Sequence, residues 1–142
     1  MQFGRFAIYN KGVFMITTDN KKINVLVVEP KKKPYPKEIS SGLSSLKKEI
    51  GGDIQAVYPY TEPVAIICDE KGKLKRRDLN RALYSVDGRP YDVIAGTFLV
   101  VGYDGEYFTS LTPEHLIQFK KKFETPEMFM CINGRLVILP ME

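Results

Sequence analysis

The stretch YDVIAGTFLVVGY, residues 91 to 103, constrains the fold more than any other in the chain. Its β-branched and aromatic residues read as strand, and shorter runs of the same kind, each bounded by turn residues, recur along the sequence. FGRFAIYN and GVFMITTD flank the turn residues Asn10, Lys11 and Gly12, and INVLVVE follows the polar turn NKK. The first 28 residues therefore read as a three-stranded meander. IQAVYPY and PVAIICDE read as a strand pair joined through Thr61 and Glu62. MFMCINGRLVILP reads as a hairpin turning on Asn133-Gly134. Gly96 interrupts the longest run, where a glycine marks a bulge, a close approach of backbone or ligand, or a packing constraint.

Two segments carry helical spacing instead. In SSGLSSLKKEI, Leu43, Leu46 and Ile50 share a face, the serines can act as N-caps and Gly51-Gly52 stops the helix. In SLTPEHLIQFKKKFETP, Thr112 is the expected N-cap, Pro113 fits the first helical position and Glu114 suits the positive end of the dipole. Leu116, Phe119 and Phe123 then face a core, Lys120, Lys121 and Lys122 suit the C-terminal end and Pro126 terminates the helix. RDLNRALYS reads as one or two helical turns. PKKKPYPKE reads as a solvated connection, because Pro30, Pro34 and Pro36 oppose regular structure and its lysines prefer water. The expected fold is α+β, a mostly antiparallel sheet with two main helices packed on it. A chain of 142 residues is the size of one domain, here residues 1–142 with 1–22 as an added N-terminal hairpin.

Composition narrows the function classes. No apolar run approaches the roughly 20 residues that cross a bilayer, and MQFGRFAIYN lacks the long apolar segment of a signal peptide, so the expected setting is the cytoplasm and not a membrane. Cys68 and Cys131 sit among strand-forming residues and read as buried free thiols. With His115 as the single histidine, an ordinary zinc site is hard to assemble, and no metal or cofactor is expected. The net charge of +4 implies mild attraction to nucleotides, nucleic acid or acidic proteins.

Signatures of nucleotide hydrolysis, dinucleotide binding, acyl transfer and metalloproteolysis are absent, which favours a binding protein over an enzyme. His115 reads as a surface residue of a helical first turn. Asp69, Glu70 and Asp87 read as turn chemistry. The candidate ligand residues lie in the middle of the chain. Arg76, Arg77 and Arg81 can grip phosphate, Asn80 and Asp92 can meet base or ribose edges, Tyr58 or Tyr91 can stack, and Thr97 joins the candidates beside Gly96. The structural alternative has Asn80 and Arg81 satisfying backbone carbonyls and pairing with Asp92 in a buried network. KLKRRDLNRAL, residues 73 to 83, reads as a solvated basic face before it reads as a ligand surface. The scattered charge lacks a helix-turn-helix context, which argues against duplex DNA.

VLVVEPKKKPYPKEI, GGDIQAVYPY, VAIICDEKGKL, LNRAL and YDVIAGTFLVVG, in this order, resemble the DUF3846 family, a domain of unknown function, from about Ile23 to Phe123. The closing hairpin is similar but looser. The resemblance implies a small protein of bacterial phages and mobile elements. Such proteins often blunt host defence, here by sequestering a nucleotide-derived signal or by docking on a defence protein. The sequestering version expects Arg81→Ala to abolish nucleotide binding and leave the fold intact. The docking version expects an exposed sheet edge or apolar patch, for instance in the added N-terminal hairpin, and no small ligand. A nucleic-acid-binding regulator is a third reading, and exposed sheet edges favour a homo-oligomer.

Overall fold

The computed structural model describes residues 21–141. The strands expected in FGRFAIYN and GVFMITTD lie outside the described residues. The central sheet is antiparallel throughout. Its spatial order is β2 (Tyr35–Ser40), β1 (Lys22–Val28), β7 (Phe98–Tyr103), β4 (Val64–Asp69) and β3 (Ile54–Val57), with the short β8 (Phe108–Thr109) also pairing with β7. Two further two-stranded sheets are β5 (Leu79–Tyr84) with β6 (Pro90–Ala95), and β9 (Glu127–Ile132) with β10 (Arg135–Pro140). The helices are α1 (Leu43–Ile50) and α2 (Pro113–Lys122).

Apolar character on both faces makes the central strands continuous hydrophobic runs rather than alternating ones. Val25 and Val27 of β1, Ala65 and Ile67 of β4, and Leu99 and Val101 of β7 point to one side, where Leu46 and Ile50 of α1 cover them. Leu26, Ile66, Phe98 and Val100 point to the other, where Phe119 and Phe123 of the α2 segment and Leu83 and Ile94 of β5 and β6 close the layer. Every one of these side chains is buried. The molecule is therefore three layers deep, with two cores separated by one sheet.

Several expectations hold at the level of local chemistry. Thr112 caps α2 by accepting a hydrogen bond from the His115 N–H at 3.1 Å, and Pro113 opens the helix. Gly51 ends α1 in the left-handed region at φ 84°, its N–H bonded to the Lys47 carbonyl. The serines do not cap α1: Gly42 is its N-cap, and Ser40 Oγ accepts from the Gly42 N–H instead.

The fold class is a correction. The domain is dominated by sheet, with 45% of the described residues in strand and 15% in helix, and not an α+β domain built on two main helices. Two misread segments account for much of the difference. PKKKPYPKE contributes β2, where Pro36 is tolerated because β2 lies at the sheet edge and its missing N–H leaves no inner ladder unfilled. RDLNRALYS is strand β5, paired with β6. Its Leu79 and Leu83 spacing imitates a helix because a bulge between Leu79 and Arg81 breaks the two-residue alternation that would have revealed a strand. Of the two cysteines, Cys68 is buried as expected and Cys131 is exposed on the closing hairpin.

Candidate functional site

Asn80 is the extra residue of the β5 bulge, since Leu79 opposes Ala95 and Arg81 opposes Ile94. Fully buried, it replaces lost ladder bonds with its side chain, Nδ2 donating to the Val28 carbonyl at 2.9 Å and to the Gly96 carbonyl at 2.8 Å. Its Oδ1 accepts from Arg81 Nη1 at 2.9 Å. Arg81 is 2% exposed. It donates through Nε and Nη2 to the Phe123 carbonyl at 3.2 and 2.8 Å, and through Nη2 to the Lys32 carbonyl at 2.8 Å. Burial lowers its pKa and the nearby Glu127 charge raises it, but a guanidinium stays protonated under either influence. Asn80 and Arg81 thus tie β5 to the end of β1, the Gly96 turn and the end of α2.

The basic turn is occupied in a similar way. Asp69, whose side chain is 1% exposed, accepts from Lys75 Nζ and Arg77 Nε, each at 2.9 Å, through Oδ2, and from the Lys71 N–H at 2.9 Å through Oδ1. The Oδ1 bond is the turn chemistry read from the sequence, and the two cations are an addition to it. Burial raises the Asp69 pKa, but the hydrogen bonds from Lys75 and Lys71 and the charges of Lys75 and Arg77 outweigh it, and the carboxyl is held below its ordinary value. Arg77 Nη2 also donates to the Gly51 carbonyl at 2.7 Å. Arg76 is exposed, with φ 57° at the turn.

Gly96 now has its reason. Its φ is +84°, and an added Cβ would lie 2.7 Å from Arg77 Cδ, so the glycine makes room for the arginine stem and not for a ligand. Gly96→Ala is expected to cost about 2 kcal/mol from the left-handed backbone and the displaced arginine together, read as a lower urea midpoint with an unchanged slope.

The remaining candidates do not join one cluster. Tyr58 packs on Tyr103 with ring centroids 4.8 Å apart on the α1 side of the sheet, and the sheet separates it from Arg81. Burial first, then Tyr103, raises its pKa. Tyr91 is exposed on β6, and Thr97 is half-buried in the turn beside Gly96. Asp92 meets Lys73 Nζ at 2.7 Å rather than Arg81. The Lys73–Asp92 pair borders a cavity of about 180 Å³ shared with Asp69 and Cys68, and Arg81 borders one of about 100 Å³.

The closing hairpin presents the feature that sequence reasoning passed over. Cross-strand partners share a face, so the pairs Met128–Leu139, Met130–Val137 and Ile132–Arg135 form one side of β9–β10. Met128, Met130, Ile132 and Leu139 are between 38% and 46% exposed, and Arg135 is the only charge on that side. Val137 on that side is half-buried; on the other side Phe129 and Ile138 are half-buried while Cys131 and Leu136, next to the turn, are exposed, and Glu127 fastens the hairpin to β5: Oε1 accepts from the Ala82 N–H at 2.8 Å and Oε2 from the Tyr84 hydroxyl at 2.6 Å. The unbroken apolar composition of MFMCI and LVIL was the available signal, since a hairpin with one buried face should alternate.

Layers, bulge and hairpin together define a small sheet-centred domain whose predicted ligand residues are largely engaged in holding it together. The chain belongs to the DUF3846 family, because the model of this domain of unknown function matches residues 23–124. No curated protein and no solved structure matches the chain. The matched segment ends before β9, which leaves the apolar hairpin beyond it. Among the described residues no helix is long and apolar enough to cross a membrane.

Proposed function

We propose that this chain is a non-enzymatic binding protein that counters bacterial host defence by docking on a protein, with the outer face of β9–β10 as the docking surface. The observation that carries the reading is the row of Met128, Met130, Ile132, Val137 and Leu139 on one face of a hairpin. A contiguous apolar face of this kind marks an interaction site, and methionines let it adapt to its partner. The occupant is an apolar patch on another protein with a carboxylate placed to meet Arg135. A second copy fits poorly: stacking the same faces sets Arg135 against Arg135 or against Met128 and Leu139, with no carboxylate supplied in either arrangement.

Sequestration of a nucleotide has less support. Asn80 and Arg81 spend their donors on carbonyls, and the cavities bordered by Asp92 and Arg81 measure about 180 and 100 Å³. Sites for ligands of that class usually run to roughly 300 Å³ or more.

The test is purification from a bacterial host followed by native mass spectrometry, with wild type beside a Met130→Asp, Leu139→Asp double variant. The wild type is expected to retain an identified defence protein at fixed stoichiometry. The double variant, folded by circular dichroism, is expected to lose it by about tenfold or more in affinity. A co-purifying nucleotide, a homodimer broken by the same substitutions, or equal retention by both proteins would each overturn the reading.

A further inference from the structure

Two lysine triplets far apart in the sequence meet on one surface. Lys31, Lys32 and Lys33 form the turn between β1 and β2, and Lys120, Lys121 and Lys122 close α2. Arg81 holds the two together, because its Nη2 donates to the Lys32 carbonyl and to the Phe123 carbonyl, each at 2.8 Å. Between them runs an open groove of about 570 Å³ lined by Lys33, Pro34, Ile117, Lys120, Lys121 and Glu124. Its helical wall follows from spacing: Ile117, Lys120 and Lys121 share a face of α2 turned away from the buried Phe119, and Glu124 follows just beyond the C-cap Phe123.

The charges divide into engaged and available. Lys31 lies 3.8 Å from Asp78, Lys32 lies 3.3 Å from Glu29, and Lys122 sits over the Tyr60 ring. Among the described residues, Lys33, Lys120 and Lys121 have no carboxylate within ion-pair distance. They line the groove together with Ile117, which is 70% exposed. Like charges held close together with an isolated isoleucine between them gain nothing for the fold.

We infer that this groove takes an acidic linear segment of a protein partner, its carboxylates on Lys33, Lys120 and Lys121 and one apolar side chain on Ile117 and Pro34. Charge complementarity selects an anion. The lining selects a peptide over nucleic acid. It has no aromatic ring on which a base could stack and no arginine fork for phosphate. An apolar floor inside a charged rim is instead the anatomy of a protein interface. The proposal is independent of the hairpin reading and can fail without it.

Fluorescence anisotropy with a labelled peptide of sequence Glu-Glu-Leu-Glu-Glu-Phe-Glu-Glu tests it, beside an all-glutamate peptide of the same length and a single-stranded oligonucleotide of matched charge. The mixed peptide is expected to bind tightest. Lys33→Glu with Lys121→Glu is expected to weaken it about tenfold or more, and Ile117→Ser is expected to erase its advantage over the all-glutamate peptide. Val86→Ser, at the exposed turn between β5 and β6, should leave the affinity unchanged. Tighter binding of the oligonucleotide, indifference to the lysine reversals, or absence of peptide binding by the wild type would overturn the assignment.

Discussion

Arg81→Ala is expected to remove about 4 kcal/mol of stability, enough to leave a domain of ordinary marginal stability close to unfolding at room temperature. The alanine deletes a buried guanidinium and leaves the carbonyls of Phe123 and Lys32 and the Asn80 Oδ1 without the donors they face. A void opens where the side chain stood, which adds to the loss. Arg81→Lys should recover only part of it, because one ammonium cannot span carbonyls presented by two segments. Urea unfolding followed by circular dichroism measures all three proteins. A midpoint for Arg81→Ala equal to wild type would show that the network contributes nothing. The expectation reverses the one a ligand-binding Arg81 carries, which is loss of binding with the fold intact.

Asp69→Ala is expected to cost about 3 kcal/mol, reduced from the value for a fully enclosed pair because Lys75 and Arg77 are themselves partly exposed. The substitution leaves two cations side by side and frees the turn that Asp69 organises through the Lys71 N–H. A pH dependence follows. The folded-state pKa of Asp69 lies below its unfolded value, so its contribution is complete above roughly pH 4 and is lost as pH falls through the lower folded value. Wild type and Asp69→Asn compared by urea unfolding between about pH 2 and 7 should differ most near neutrality and converge in acid. Curves that stay parallel throughout would remove Asp69 from the acid response.

What could be read in advance was the chemistry that neighbours along the chain decide. Thr112-Pro113-Glu114 opens a helix, Asn133-Gly134 turns a hairpin and Gly51 ends a helix, and each depends on residues within a few positions. What escaped was decided by partners far away. β5 is strand because β6 pairs with it. That Asn80 and Arg81 satisfy backbone carbonyls in a buried network was legible as the structural alternative, but the bulge that turns both inward and the identity of their partners on Val28, Gly96 and Phe123 were not, and Asp92 meets Lys73 instead. The side-chain types were correctly picked out as unusual, and their distant partners give them structural roles. The lysine triplets were read separately, as a solvated connection and a helix end. Nothing within either triplet indicates that Arg81 brings them together.

Among the described residues, every side-chain hydrogen bond between the closing hairpin and the body of the domain ends on the single carboxylate of Glu127. The hairpin also lies beyond residues 23–124, which the family model matches. A surface attached in this way behaves as a cartridge: its outward side chains can be changed without reopening either buried layer. The chemistry of that surface and the ability to fold are then carried on separate stretches of chain, and the first can be altered while the second is kept.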